Sequence, residues 1–478
     1  MTATSGRMAR TPRPHPSRGR ATRLRTVVVL TVLLGACTGS PSGSESARRM
    51  PTGVPNVLII VTDDQRQGLG AMPATRRLFE RGGIRYTEAF ATTPLCCPSR
   101  ASIMTGRYAH NHGVETNFEA GELDQSTTIQ AYLHEEGYLT ALFGKFFNHW
   151  DMSKRPEYFD TWAISGADQE STYYRRGEWN IDGNVDRIPK YATTFIEQQA
   201  LDFLRDADEN DDARPWLMWL NTTAPHAPFR SEPAHAGDPV RRWEGNPAVF
   251  ERDRSDKSAY VRRARCDIVC GRTIRRRQLR TLMSVDDMIE AVFDGAQELG
   301  EETQTLAFFI SDNGLHWGEH GLRDKRKPYT ESIRVPMLMR WPGAVRAGAT
   351  DERLVANIDI APTILEAAEI EPDASTPLDG RSLLDHLWKR KRILTEYWRA
   401  PDGGKNATWA SIRTSTSQYV QYYGIKGNVA GREYYDLVED PFQLRNLLGD
   451  RDRANDPDVR GRAARLERLR RCAGARCP

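Results

Sequence analysis

The chain has 478 residues, 39 % hydrophobic and 27 % charged. That composition excludes an all-disordered chain, and no apolar run reaches the roughly 20 residues that span a bilayer, which excludes a polytopic membrane protein. The formal net charge of +3 comes from the N-terminus: residues 1–36 hold seven arginines and no acid, and the rest of the chain carries 60 basic against 64 acidic residues, net −4, so no nucleic-acid partner is expected.

In chain order, the first 25 residues form a basic stretch, and Val27–Ala36 is an apolar run of ten residues, too short to span. It ends in Leu34-Gly35-Ala36-Cys37, which resembles the lipobox of bacterial lipoproteins. That resemblance implies a signal peptide over 1–36, a lipid on Cys37 as membrane anchor, and an exported, cell-surface location. Residues 37–54 read as a flexible tether.

Four short apolar runs read as buried parallel strands, each with polar residues at its C-terminal end. Val57–Val61 ends in Asp63-Asp64, Leu139–Phe143 in Gly144-Lys145, Trp216–Leu220 in Asn221 and then His226, and Leu306–Ile310 in Asp312-Asn313-Gly314. Between the first two lies Cys96-Cys97-Pro98-Ser99-Arg100. Proline suits a first helical turn and Gly106 a helix end, so Cys96 is expected at a helix N-terminus, where unpaired amides and the dipole favour an anion. Arg100, one turn in, faces the same spot. Residues 241–280 carry thirteen Arg or Lys against five acids; they read as a solvated helix face and loop, with a basic patch for an anionic glycan as the other reading. Leu279–Leu299 has apolar residues at three- and four-residue spacing, a helix. Strands alternating with helices imply an α/β fold, a large mainly parallel sheet covered on both faces, with ligands beyond the strands' carboxyl ends. The expected domains are 55–388 (catalytic) and 389–478, a small antiparallel subdomain (Trp409–Arg413, Gln418–Tyr423, Tyr434–Leu437) with a basic tail whose residues 460–478 read as an Arg-rich helix. In an exported protein Cys266 with Cys270, and Cys472 with Cys477, are expected as local disulfides; no nearby histidine completes a zinc site.

The segment Cys96-Cys97-Pro98-Ser99-Arg100, followed by Thr105-Gly106-Arg107, resembles the signature of the sulfatase family. The other features follow in the family's order: Asp63-Asp64, Gly144-Lys145, Ala224-Pro225-His226-Ala227-Pro228, Ser311-Asp312-Asn313-Gly314, Lys325 ahead of Ile333-Arg334-Val335-Pro336, and Tyr435-Asp436-Leu437 with Asp440-Pro441 and Asn446-Leu447. The resemblance covers about residues 55–450, and within the family Leu95–Val114 looks nearest to the N-acetylglucosamine-6-sulfatases and heparan sulfatases. It implies an alkaline phosphatase-like fold, conversion of Cys96 to formylglycine by a formylglycine-generating enzyme, and a sulfated sugar or aryl sulfate as substrate.

The residue chemistry agrees. Asp63, Asp64, Asp312 and Asn313 offer only oxygen ligands, which selects Ca²⁺, or Mg²⁺, over zinc; the modified residue 96 and a sulfate oxygen would complete the shell. One hydroxyl of the aldehyde hydrate would attack sulfur and expel the alcohol, and the other would eject sulfate, a step for which a thiol has no second hydroxyl. Arg100, Lys145 and Lys325 would neutralise the sulfuryl oxygens, and His226 or Lys325 would protonate the leaving oxygen. Many sulfatases carry a histidine two residues after the lysine matching Lys145; here Phe147 stands there. That leaves His110, His112, His149 and His316 as candidate bases. Two other readings stay open on sequence: a phosphodiesterase or phosphonate monoesterase of the same superfamily, and a lipoprotein that binds sulfated glycans without turnover.

Overall fold

A computed structural model describes residues 53–166, 172–209, 214–400 and 406–478; the leader, the lipobox cysteine and nearly all of the tether lie outside them. Ten strands form one sheet: β1 (Asn56–Thr62), β2 (Ile84–Phe90), β3 (Leu139–Gly144), β4 (Thr161–Ser165), β5 (Arg175–Ile181), β6 (Asn184–Tyr191), β7 (Trp216–Asn221), β8 (Thr305–Ser311), β9 (Met337–Arg340) and β10 (Ala349–Ala356). Their order is β10-β2-β9-β8-β1-β7-β3-β4-β5-β6. The centre, β8-β1-β7-β3-β4, is parallel throughout. β9 and β5 run antiparallel to both their neighbours.

The four predicted strands are β1, β3, β7 and β8, adjacent at the sheet centre. Side chains alternate between faces along a strand, and both faces of β1 are buried. Val57, Ile59 and Val61 pack with Cys97, Ala101 and Met104 of the helix Cys96–Thr105 and with Ile360 and Ile364 of the helix Ile360–Ala367. Leu58 and Ile60 pack on the other side with Phe195 and Phe203 of Ala192–Glu209 and with Leu282, Met288 and Val292 of Ile268–Glu298.

The long helix Ile268–Glu298 begins eleven residues before the apolar stripe that announces it in sequence. Asp267 caps it by accepting the amides of Val269 and Cys270 (3.1 and 2.9 Å), and the Cys266–Cys270 disulfide joins its first turn to the preceding loop. Its first turns carry arginines that bond to neighbouring loops, Arg272 to Trp243 O (2.6 Å) and Arg275 to Arg241 O (2.7 Å). They bury little apolar surface, so the periodicity is silent there.

A second, antiparallel sheet runs β11 (Ile393–Tyr397), β12 (Thr408–Arg413), β13 (Ser417–Tyr423), β14 (Val429–Asp436). The helix Val459–Leu469 packs Leu466 and Leu469 into its core. The expected helical tail is thus shorter than 460–478: beyond Leu469 the chain turns into a segment closed by the Cys472–Cys477 disulfide. No helix among the described residues is long and apolar enough to cross a membrane.

Candidate active site

The carboxyl ends of β1, β3, β7 and β8 lie side by side, so the residues just past them converge. Asp63-Asp64 follows β1, Lys145 follows β3, the loop with His226 follows β7, and Asp312-Asn313 follows β8. Two backbone links lock this edge: the Asp63 amide donates to Ala224 O (3.1 Å) and that of Lys145 to Asn221 O (2.8 Å). Asp64 has φ 71°, a left-handed conformation uncommon outside glycine that aspartate adopts more readily than most residues.

Across this edge the helix Cys96–Thr105 presents its N-terminus. Leu95, its N-cap, is extended and provides no side-chain cap, and Gly106 ends the helix at φ 64°. The Cys96 thiol is buried, 3.5 Å from Asp63 Oδ1, and Lys325 Nζ donates to its sulfur at 2.8 Å. Lys145 Nζ pairs with Asp63 Oδ2, and Lys325 Nζ with Asp64 Oδ1. Arg100 reaches Asp312 Oδ2 through Nε (3.1 Å) and Nη2 (3.0 Å), and its Nη1 donates to Lys145 O (2.9 Å). The Asp64 amide donates to Asp312 Oδ1 (3.1 Å), and Asn313 Nδ2 to Asp64 Oδ1 (2.6 Å). His226 sits at the rim, with Nε2 3.7 Å from Asp64 Oδ2 and Nδ1 2.6 Å from Ala227 O.

The electrostatics are those of a buried ionic cluster. Burial alone would raise Asp63, but Lys145, His226, Lys325 and Arg100 around it hold its carboxyl well below the usual range. Burial and the neighbouring Asp63 raise Asp312. Burial opposes charge on Lys145 and Lys325, yet Asp63 and Asp64 beside them keep both ammonium groups charged, above their ordinary value. Burial and Asp63 push the Cys96 thiol up to about 11, despite the two lysines.

The cluster also fits a hard cation. Asn313 Oδ1 is buried with no hydrogen-bond partner, an orphaned oxygen beside two carboxylates, and buried polar atoms are rarely left so. Asp63, Asp64, Cys96 and His226 bring ligand atoms within 4.8 Å of one another, and the carboxylate and amide oxygens suit Ca²⁺ or Mg²⁺.

All nine positions singled out in the sequence therefore meet at this edge, His226 least closely. Two of the candidate bases, His110 and His112, are engaged by other groups. His110 pairs with Glu396 (2.7 Å) and lies 3.0 Å from Cys472 O. His112 lies 3.0 Å from Ser102 Oγ and accepts the Val114 amide. His149 is exposed and stacks on Phe118. His316 is buried, its Nδ1 2.6 Å from Asp324 O and its Nε2 without a partner. Phe147 is packed in the core. Sequence reasoning missed Gln278, whose Nε2 donates to both Asp64 O and Pro225 O (3.1 Å each) while its Oε1 accepts from Trp317 Nε1. It lies mid-helix among arginines, with no motif to mark it.

The family model for sulfatases matches residues 55–370, and that for the C-terminal part of N-sulphoglucosamine sulphohydrolase matches 318–469. The human N-acetylglucosamine-6-sulfatase is 30 % identical over 99 % of this chain and 92 % of its own length. The N-acetylglucosamine-6-O-sulfatase of Bacteroides thetaiotaomicron is 28 % identical, covering 88 % and 87 %. A solved structure of a protein in complex with its substrate D-glucosamine-2-N,6-O-disulfate superposes with a TM-score of 0.71 at 25 % identity, over 87 % of this chain and 97 % of that one. The convergence of acids, lysines and a cysteine that opens a helix on one sheet edge thus has the company of matched sequence along almost the whole chain, and the chain belongs to the sulfatase family, hydrolases of sulfuric esters.

Proposed function

We propose that this enzyme removes the 6-sulfate from an N-acetylglucosamine-type sugar in a sulfated glycan, with Cys96 oxidised to formylglycine and a calcium or magnesium ion among Asp63, Asp64, Asp312 and Asn313. The observation that carries the reading is the position of Cys96: buried at a helix N-terminus, 3.5 Å from one carboxylate and 2.8 Å from an ammonium. Its thiol, pushed up to about 11, is almost wholly protonated at neutral pH and makes a poor nucleophile as it stands. The substrate assignment is supported by the two N-acetylglucosamine-6-sulfatases and by the glucosamine-disulfate complex.

When bound, the cation supplies positive charge against the sulfuryl oxygens. The chain's own groups do the rest. Lys145 and Lys325 stay charged in a buried setting, where a developing sulfuryl charge is felt far more strongly than in water. Arg100 is clamped by Asp312 and Lys145 O, so its planar guanidinium is oriented before substrate arrives. His226 directs Nδ1 at Ala227 O and turns Nε2 toward the cluster, 3.7 Å from Asp64 Oδ2, from where the protonated ring would pass a proton to the departing sugar oxygen. Gln278 fixes the backbone of Asp64 and of the His226 loop relative to each other.

The same reading takes 1–36 as an export leader, Cys37 as a lipid anchor and 37–54 as a tether, with a catalytic domain over 55–388 and a C-terminal subdomain over 389–478. A formylglycine-generating enzyme is the required partner.

The test is sulfate release from N-acetylglucosamine 6-sulfate against 3-sulfated and N-sulfated glucosamines and glucose 6-phosphate, with and without a chelator. The 6-sulfate should be turned over fastest, chelation should stop turnover, calcium should restore it, and Cys96→Ala should be inactive. Faster release of phosphate than of sulfate overturns the reading.

A further inference from the structure

We infer that the C-terminal helix carries a second anion-binding surface, separate from the catalytic centre, that fits successive sulfates along a sulfated glycan chain. The choice of ligand rests on the proposed action on sulfated sugars; the surface itself rests on its arginines. Residues 460–478 hold seven arginines and one acid, Glu467, in a chain that is net acidic beyond residue 36.

Two of these arginines serve the fold: Arg462 lies 4.6 Å over the ring of Tyr434, and Arg470 4.1 Å over that of Tyr423. Glu467 is engaged by the Tyr423 hydroxyl (3.0 Å) and Arg470 (3.5 Å). Arg465, Arg468 and Arg471 recur every third residue on the exposed side, and with Arg392 and Arg476 they line an open cleft of about 530 Å³. Arg471 reaches Glu467 only at 3.9 Å. Among the described residues, the side chains of Arg392, Arg465, Arg468 and Arg476 have no hydrogen bond or ion pair with the protein. Lys389 and Lys391, just before Arg392, line a further cleft of about 950 Å³.

Like charges gathered without acceptors repel one another, and an anion relieves that repulsion. The guanidinium fork matches two oxygens of a sulfate. The cleft also stands on a fixed base, so little ordering is lost on binding. Leu466 and Leu469 are buried, Cys472 is bridged to Cys477, and Arg390, itself paired with Asp359, donates to Pro478 O (3.1 Å).

A loop ties this base to the catalytic helix. Asn111 Nδ2 donates to Cys472 O (2.9 Å), and six residues on Asn117 Oδ1 accepts the Cys97 amide (3.0 Å). Six residues span at most about 20 Å, the length of a few sugars. The two anchor points are thus no farther apart than a few sugars, within reach of a glycan chain seated on the arginines.

The test compares the wild type with the triple variant Arg465→Ala, Arg468→Ala, Arg471→Ala on immobilised heparin, and in turnover of a monosaccharide 6-sulfate and a heparan-type sulfated octasaccharide. The variant should lose heparin retention and show a KM for the octasaccharide raised by about tenfold, with kcat and the monosaccharide kinetics unchanged. Unchanged heparin retention and octasaccharide KM overturn the inference. So does wild-type binding to anionic phospholipid vesicles or to duplex DNA as tight as to heparin. Should the wild type turn over neither sugar, the substrate reading fails by itself, and the loss or retention of heparin binding in the variant still decides for or against the surface.

Discussion

Lys325 touches three anionic or reactive groups at once: Asp63, Asp64 and the sulfur of Cys96. No other cation in the site bridges the carboxylates to residue 96 in this way. Lys325→Ala is expected to lower kcat by about 10²–10³, the usual loss for one preorganised charge at a reacting centre. Because the substitution also leaves Asp64 short of a buried partner, thermal unfolding should be recorded alongside; a variant that folds as well as wild type and keeps full kcat removes Lys325 from the machinery. His112 tells of pH in another way. Burial depresses it to about 3 from an ordinary value of 6.5, so the folded protein keeps it neutral while the unfolded chain takes up a proton below pH 6.5. The stability it contributes is complete above pH 6.5 and declines as pH falls toward 3, by about 1.4 kcal/mol per pH unit. In His112→Gln the midpoint of unfolding, followed by circular dichroism, should fall less steeply across that window than in wild type.

Gly144, at the end of β3, shows how an element's last residue sets the chemistry of the next. Its φ is +110°, and a Cβ there would lie 1.9 Å from Asn221 O, the carbonyl that accepts the Lys145 amide. Gly144→Ala must push β3 and β7 apart at the point where Lys145 is launched. The expected result is a loss of stability of about 2 kcal/mol or more from backbone strain and crowding, together with reduced kcat; a normal melting temperature with normal activity contradicts this reading of the junction. Strands such as β1, β3, β7 and β8 were legible because they are buried on both faces and read as unbroken apolar runs. β5, β6 and β9 were not. Asn184–Tyr191 is largely exposed and polar, Arg175–Ile181 mixes exposed Arg175, Arg176 and Glu178 with buried Trp179 and Asn180, and Met337–Arg340 is only four residues long. The antiparallel strands β5, β6 and β9 thus left no apolar run long enough to read. The helix Ile268–Glu298 was legible only where it buries apolar residues, and Gln278 only in its place in the folded chain, since it acts through the backbone of a distant segment.

At the scale of the whole molecule, ten strands bring four chain segments, spread from residue 63 to residue 313, to one edge, and the helix Cys96–Thr105 closes over them. Cys96, Asp63 and Asp312 stood out in sequence because reactive or charged residues follow directly on apolar strands or open a helix. Their mutual contacts, the orphaned Asn313 oxygen and the engagement of His110 and His112 elsewhere follow from long-range packing that spacing does not encode. The proposed chemistry depends on the state of residue 96 in protein that is hydrolysing sulfate esters. The most direct measurement is the mass of the tryptic peptide Tyr86–Arg100 from an active preparation. An aldehyde is expected there, one sulfur and two hydrogens lost and one oxygen gained relative to the thiol, in a fraction that rises in proportion to specific activity. A fully active preparation in which that peptide carries two intact thiols would contradict it.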